Sequence, residues 1–532
     1  MRYVLTASEM KHCDEWTIQE LGIPAPVLME RAALAMKEEI TNYMLRSSMP
    51  DAQMLSSIRV LIAAGTGNNG GDGLALGRLL ALDGAQVDFY FPGSRRHMSK
   101  ECQLQAAILK RLGFFLSEKI PQKEYDVVVD ALFGIGLTRD IEGIYKEAVE
   151  QIHRLKDKGA FVCAADIPSG VCADTGRILG CGVKADLTVT FAFAKRGHLY
   201  YPGREYTGEL IVRDVGILWE AGKKAPQAFS LEKEDVGRLL PKRKSDGNKG
   251  TFGKVLAAAG SRDMAGACIL CGEAVLRTGA GMVKLVSPAC NREILQSALP
   301  EAMLYSYEEE AEEEPLKASL DWADVVAAGP GMGTGERSYK LLRSLLSYVC
   351  QQEKMSLVLD ADALNLLARH QELKELLKNR RGGQVVLTPH PGELVRLMGS
   401  SMEDYYRDRE GMVTALAKEL NCVVVGKDAV TLVAGTEADT KEEYHIPFYL
   451  NTSGSHGMAT AGSGDVLCGV IGALLAQGMR AFDASCLGVF IHGTAGEEAS
   501  KKKSAYGMKA SDLIEEICIL LSEQNGKAGH KK

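Results

Sequence analysis

Between residues 58 and 191, short apolar runs at 59–64, 86–91, 126–130, 160–166 and 187–191 alternate with amphipathic stretches of helical spacing. Such alternation predicts a parallel, doubly wound sheet covered by helices. Ahead of it, Thr6-Ala7-Ser8-Glu9 has capping-box spacing and opens one helix, and a second is predicted over residues 26–45; both are expected to pack on the sheet or on a partner subunit. The pattern weakens from 219 to 241, where Gly222, Lys223, Lys224 and Pro226 read as linker, and residues 241–250 read as an exposed loop. A second series of apolar runs follows at 254–260, 282–286, 324–329, 357–360, 385–388 and 422–426. The predicted fold class is therefore α/β, with two three-layer α/β/α domains over residues 1–224 and 225–525, the first a Rossmann-like doubly wound sheet. The acidic run 308–314 reads as a solvated loop, and the tail after Gln524 as unstructured.

A chain of 532 residues has room for two to four compact units. Its formal net charge is −7, from 62 Lys+Arg against 69 Asp+Glu, which argues against a nucleic-acid or membrane-surface binder and for metabolite partners. No run approaches the roughly 18 uncharged apolar residues of a membrane span, and residues 1–17 lack the apolar core of a leader, so a cytoplasmic location is expected. The 13 cysteines are scattered through apolar segments, as expected of reduced, buried thiols. Cys268 and Cys271 alone have ligand-like spacing, but Ala267, Leu270, Ala274 and Leu276 around them make a helical apolar face, which favours a structural role.

In the second series, Gly462-Ser463-Gly464-Asp465 precedes an apolar helix. Glycines let backbone N–H groups converge on a phosphoryl group, and the helix N-terminus adds its partial positive charge. Asp465 then lies where a substrate hydroxyl would lose its proton, an arrangement suited to phosphoryl transfer to an alcohol. Taken alone, the motif also fits a glycine loop with an aspartate helix cap. Strand ends supply further polar turns: Gly329-Pro330-Gly331-Met332-Gly333, Asp360-Ala361-Asp362-Ala363-Leu364-Asn365, Thr388-Pro389-His390-Pro391-Gly392-Glu393 and Lys427-Asp428-Ala429-Val430-Thr431, whose lysine suits a nucleotide phosphate. Gly253-Lys254 is followed by Val255 rather than Ser or Thr, which excludes a Walker loop, and protein-kinase loops are absent. The Gly-x-Gly-Asp turn at residues 462–465 resembles that of the ribokinase-like plan, which implies a ribokinase-like sheet.

In the first series, Gly65, Gly67 and Gly70 satisfy G-x-G-x-x-G between a strand and a helix that continues from Leu74, which suggests a hydride-transfer dehydrogenase. Against that reading, the next strand ends in Tyr90-Phe91-Pro92 with no acid for a ribose hydroxyl, and the turn carries Asn68, Asn69 and Asp72. Asp130 closes another strand and leads into Phe133-Gly134-Ile135-Gly136-Leu137-Thr138-Arg139-Asp140, a glycine turn with an arginine suited to phosphate. Asp166 closes a third and leads into Ile167-Pro168-Ser169-Gly170. Asn69, Asp130 and the Ser169 region offer oxygen ligands for a hard cation.

These three segments resemble the signatures of NAD(P)H-hydrate epimerases over most of residues 1–220. The resemblance implies that Asn68, Asn69, Gly70, Gly71 and Asp72, together with Gly134 through Asp140, hold the hydrated dinucleotide. It also implies potassium at Asn69, Asp130 and Ser169, with Asp166 as the catalytic group against the nicotinamide hydrate. Ile135 stands where many members have threonine. Six ordered motifs between about residues 230 and 520, at 249–255, 279–283, 329–333, 360–364, 388–393 and 461–467, are together similar to the ribokinase-like, ADP-dependent NAD(P)H-hydrate dehydratases. They imply ADP against Lys427, Asp428, Ala429, Val430, Thr431 and Gly464, the hydrate against Ala267, Gly333, His390 and Asp465, and Mg²⁺ at the phosphates. Together the halves imply a bifunctional repair enzyme for NADHX and NADPHX. The alternatives are a ribokinase-type vitamin-alcohol kinase with a dinucleotide-binding first half, or a first half that has become an interaction module. A homo-oligomer is expected on frequency alone.

Overall fold

Arg59–Ala64, Val127–Ala131, Phe161–Ala165 and Leu187–Phe191 are buried along nearly their whole length, which is why they are nearly continuous apolar runs rather than alternating ones. In the computed structural model, residues 1–46, 58–219, 226–435 and 448–528 are described. The chain forms two units, Tyr3–Pro226 and Gln227–Lys532, the latter joined by Met1–Arg2. Gly222, Lys223, Lys224 and the expected 224/225 boundary lie outside the described residues.

The N-terminal sheet is wholly parallel, in the order Leu116–Ser117, Gln86–Tyr90, Arg59–Ala64, Val127–Ala131, Phe161–Ala165, Leu187–Phe191, Glu209–Arg213. Chain order reverses between Arg59–Ala64 and Val127–Ala131, so a crevice opens at their carboxyl ends. Alternate residues feed two cores. Val60, Ile62, Val127 and Val129 pack with Met36, Ile40, Leu74 and Leu76, while Leu61, Ala63 and Val128 pack with Val149 and Ile152. Thr6 caps the helix Ala7–Gln19 in a full capping box with Glu9.

One expectation is corrected here. The helix read as continuing from Leu74 begins at Asn68 and runs to Leu82. Glycines normally disfavour a helix interior, but a Cβ at Gly70 would lie 1.9 Å from the Gly65 carbonyl oxygen and one at Gly73 2.5 Å from the Ala131 Cβ. The glycines let the helix press directly on its sheet, and that packing outweighs their propensity.

The C-terminal unit repeats the plan. Its order is Met303–Tyr307, Met282–Pro288, Lys254–Ala258, Val325–Ala328, Ser356–Leu359, Val385–Leu387, Val423–Gly426, all parallel, then Leu432–Ala434 and Phe448–Leu450 antiparallel in turn, with Ala228–Ser230 parallel to the last. Reversal falls between Lys254–Ala258 and Val325–Ala328. The helices Ala265–Arg277, Ser463–Ala476, Ala481–Gly507 and Ala510–Ala528 share one apolar core with the sheet. The α/β class expected of both halves is observed.

Part of the segment read as linker is ordered, as the strand Ala228–Ser230 and the helix Lys233–Leu239. The acidic run is loop up to the N-cap Glu312, and only its last two residues, Glu313 and Glu314, occupy the first turn of the helix Glu313–Trp322, where negative charge suits the helix dipole. The tail continues helical to Ala528 because Leu513, Ile514 and Ile517 dock the same helix on the core, and propagation adds one bond per residue. All thirteen cysteines are free, nine of them buried, as their apolar settings predicted. Among the described residues no helix is long and apolar enough to cross a membrane.

Candidate active sites

At the N-terminal rim, Gly67 caps the helix Asn68–Leu82 without a side-chain bond, so the first-turn amides face the crevice uncapped. The Phe133-Gly134 turn lies over that helix: Asn69 Nδ2 donates to the Phe133 carbonyl at 2.9 Å, and a Cβ at Gly134 would be 3.2 Å from that of Asn69. Asp130 is fully buried beneath it, accepting from Ser169 N at 2.8 Å, Ser169 Oγ at 2.6 Å and Leu132 N at 3.3 Å. Burial still pushes its carboxyl up to about 6 against those bonds. Asn69 Oδ1 is buried without a partner. An orphaned amide oxygen beside a destabilised carboxylate and a serine hydroxyl fits an oxygen-ligated cation. The turn's Gly136, Thr138, Arg139 and Asp140 are exposed, with Ile135 and Leu137 half-buried.

Asp166, the next acid along the rim, has a left-handed φ of 61°. Its Oδ1 accepts from Lys195 Nζ at 2.5 Å, Thr190 Oγ1 at 2.9 Å and Phe191 N at 3.3 Å. Burial would raise this carboxyl, but the Lys195 ammonium, its hydrogen bond and the Thr190 hydroxyl hold it below the usual range. Asp72 behaves oppositely: burial, then the charges of Asp166 and Asp14, push it well up. The sequence reading missed Lys195, Thr190, His198 and Asp14. A lysine in an apolar run is a possible signal for the first; nothing local marks the others.

At the C-terminal rim, Gly462 caps the helix Ser463–Ala476 with φ 90°, again with no side-chain bond. Asp465, in the first turn, is pushed up to about 6 by burial and by Asp360, with Lys427 opposing. Asp360 closes its strand at 1% exposure; its Oδ1 accepts from Lys427 Nζ at 2.6 Å and Thr388 Oγ1 at 2.7 Å. A Cβ at Gly464 would stand 3.3 Å from Lys427 Nζ and 3.4 Å from Asp360 Oδ2. The structure therefore gathers Lys427, Gly464 and Asp465 around an aspartate that the expected site residues omitted. Behind them, buried His492 lies 2.9 Å from the Ser463 carbonyl oxygen, and burial lowers it to about 4.

Asp428 is engaged inside its turn, by Tyr405 OH at 2.9 Å and Ala429 N at 2.8 Å; Val430 is buried, and Thr431 Oγ1 donates to the Asp428 carbonyl at 3.3 Å. His390 caps the helix Pro391–Met398, accepting from Gly392 N at 3.0 Å, with its ring 51% exposed. Burial, Lys427 and Arg396 keep that ring neutral by lowering its pKa. On the other side, Gly331 meets Ala267, where a Cβ would come within 2.7 Å, and Gly333 N donates to Asp362 Oδ2 at 2.9 Å. Among the described residues no three His, Cys, Asp or Glu side chains are placed to hold a metal.

Two family models match the chain, one described as NAD(P)H-hydrate dehydratase over residues 255–518 and one as YjeF-related protein N-terminus over residues 25–197. The bifunctional NAD(P)H-hydrate repair enzyme Nnr of Moorella thermoacetica is 34% identical over 98% of this chain and 96% of its own. That of Escherichia coli is 34% identical over 98% and 95%. Among solved structures, an ADP/ATP-dependent NAD(P)H-hydrate dehydratase from Bacillus subtilis, co-crystallized with ATP/Mg²⁺, covers 55% of this chain and 97% of its own at 26% identity and a TM-score of 0.46.

Proposed function

We propose residue roles from one premise: this chain belongs to the family of bifunctional NAD(P)H-hydrate repair enzymes. Its N-terminal half epimerises the R and S hydrates of NADH and NADPH, and its C-terminal half dehydrates the S form at the expense of ADP. We assign the first step to residues 1–224 and the second to residues 225–525. Relatives that match along both halves leave the vitamin-kinase alternative without support.

In the N-terminal half, the uncapped amides at Asn68, Asn69 and Gly70, with Gly71, Asp72 and the turn from Gly134 to Asp140, hold the dinucleotide. Asp166 takes and returns the proton of the C6 hydroxyl as the hydrate opens and recloses on its other face. Asn69, Asp130 and Ser169 would hold K⁺, whose charge would help anchor the substrate.

In the C-terminal half, Ala267, Gly333 and His390 seat the hydrate, and Lys427 through Thr431 with Gly464 seat ADP. Asp465 removes the C6 hydroxyl proton as the oxygen attacks the terminal phosphoryl of ADP, releasing AMP. Phosphate then leaves C6, a proton leaves the neighbouring carbon, and the dihydronicotinamide ring is restored. Mg²⁺ would offset the phosphate charge; the helix amides and Lys427 orient the transferred group. The ion is expected to ride on the nucleotide, with one or two carboxylates.

The observation that carries this reading is Asp465 in the first turn of a helix with no side-chain cap, beside the Asp360–Lys427 pair. The test gives the full-length protein a mixed R/S hydrate of NADH with ADP and Mg²⁺ and follows the return of near-ultraviolet dihydronicotinamide absorbance. Wild type recovers both epimers, D166N only the S portion as fast as wild type, and D465N neither. Full-rate recovery by D465N at saturating ADP defeats the assignment.

A further inference from the structure

Lys195 is a buried charge that the reaction above does not use. It follows Ala194 in the two-residue strand Ala194–Lys195, whose register pairs Leu5 with Lys195. The side chain is 0% exposed, and all three ammonium protons have acceptors: Asp166 Oδ1 at 2.5 Å, Thr190 Oγ1 at 2.8 Å and the Phe191 carbonyl at 3.3 Å. The ammonium therefore cannot swing towards a substrate without breaking a filled shell. Its effect is on Asp166.

Three donors, Lys195, Thr190 and Phe191 N, converge on Asp166 Oδ1. No bond of this set reaches Oδ2. A second device fixes the backbone: His198 Nδ1 accepts from Lys195 N at 3.0 Å, which leaves the ring proton on Nε2, 2.9 Å from the Asp166 carbonyl oxygen. Burial lowers that imidazole to about 3, so it stays neutral. The imidazole thus ties the lysine's main chain to that of the aspartate, which is held in a left-handed conformation that L residues adopt at a cost.

We propose that Lys195 is a positioning residue of the epimerase: it saturates one oxygen of Asp166 and keeps the group a carboxylate whose other oxygen alone meets the substrate. The inference rests on Asp166 being the acid–base group. The charged and titratable groups that act on it are Asp14 from the helix Ala7–Gln19, Asp72 from the helix Asn68–Leu82, and Lys195 and His198 from its own side. Burial opposes ionisation of Asp166, and Asp14 and Asp72 are pushed up beside its charge, so the lysine is the counterweight that keeps Asp166 ionised.

The test compares wild type, K195M, K195R and D166N as full-length protein, measuring kcat/KM for epimerisation from pH 4 to pH 9. Removing the ammonium raises the Asp166 pKa, so the acidic limb of K195M moves up by at least about one pH unit. At pH values below the shifted limb its rate falls about tenfold or more, and it recovers most of that loss at pH 9. K195R, which keeps the charge, holds the limb near the wild-type position even if its rate is lower. A K195M rate that falls equally at every pH, or a limb that does not move, overturns the proposal and leaves Lys195 structural. If K195M loses the N-terminal unit's thermal transition, K195R decides: an upward shift of its limb, with the charge retained, overturns the proposal. D166N at wild-type rate instead sinks the underlying assignment of Asp166, an outcome distinct from either.

Discussion

Asp166 and Asp465 both follow carboxyl ends of doubly wound sheets, but Lys195 bonds Asp166 directly, whereas Lys427 bonds Asp360 and reaches Asp465 only through space. The first acid is held below the ordinary carboxylate range and the second is pushed up to about 6. The chemistry each rim performs accounts for the contrast. Under the proposed roles, opening and reclosing a hydrate calls for one group that rests as a carboxylate, takes the substrate's proton and gives it back. Starting a phosphoryl transfer calls for a base close to working pH, where Brønsted behaviour makes a proton acceptor most effective. On the proposed roles, the same side chain would serve both because its cation either touches it or is held by a neighbour.

The sharpest way to break the comparison is to remove each acid in turn. D465N is expected to lower the dehydration rate by about a hundredfold to ten-thousandfold while epimerisation in the same preparation is unchanged, and D166N is expected to do the reverse. A variant that slows both steps equally would mean that the two rims do not act independently.

Lysine removal at the C-terminal rim has the next largest effect. K427M strips the attraction that opposes burial at Asp465, so its carboxyl rises further and the acidic limb of dehydration moves to higher pH. The KM for ADP rises by about tenfold or more, the scale of a lost hydrogen bond to a charged group. A limb that moves down instead breaks the electrostatic account.

Wild-type profiles alone sharpen the contrast. A base is active when deprotonated, so dehydration kcat/KM should fall as pH drops through about 6, where Asp465 takes up its proton. Epimerisation, with Asp166 held low, should persist to lower pH. Coincident acidic limbs would remove the distinction.

The smallest effects are steric. A Cβ at Gly70 meets the Gly65 carbonyl at 1.9 Å, a backbone atom that cannot step aside, so Gly70→Ala should destabilise the N-terminal unit by roughly 1–3 kcal/mol in denaturant titrations. At Gly464 the neighbour at 3.3 Å is the end of a lysine, so Gly464→Ala should leave stability intact and raise the KM for ADP only a few-fold.

Much of this was legible in the chain because long-range order here follows local pattern. Runs buried on two faces announced the parallel strands, and polar turns at their ends announced the rims that hold Asp130, Asp166, Asp360 and Asp465. What escaped was set by distant partners. Asn68 to Gly73 form helix against their glycine content because Gly65 and Ala131 demand close approach. Ala228–Ser230 is too short to stand out and exists as a strand through pairing with Phe448–Leu450. Lys195 draws no notice in the sequence, and its burial depends on a strand from the start of the chain, where Leu5 lies beside it. Asn69 Oδ1 is buried without a hydrogen-bond partner, which no spacing of residues reveals.

His198 has both ring nitrogens engaged by main-chain atoms, one accepting from Lys195 and the other facing the Asp166 carbonyl. A stray zinc or copper ion therefore finds no lone pair on this imidazole, and an acylating reagent no nucleophile. The ring is built in as masonry, which shields the N-terminal rim from the soft-metal poisoning to which a free histidine beside a carboxylate would be open.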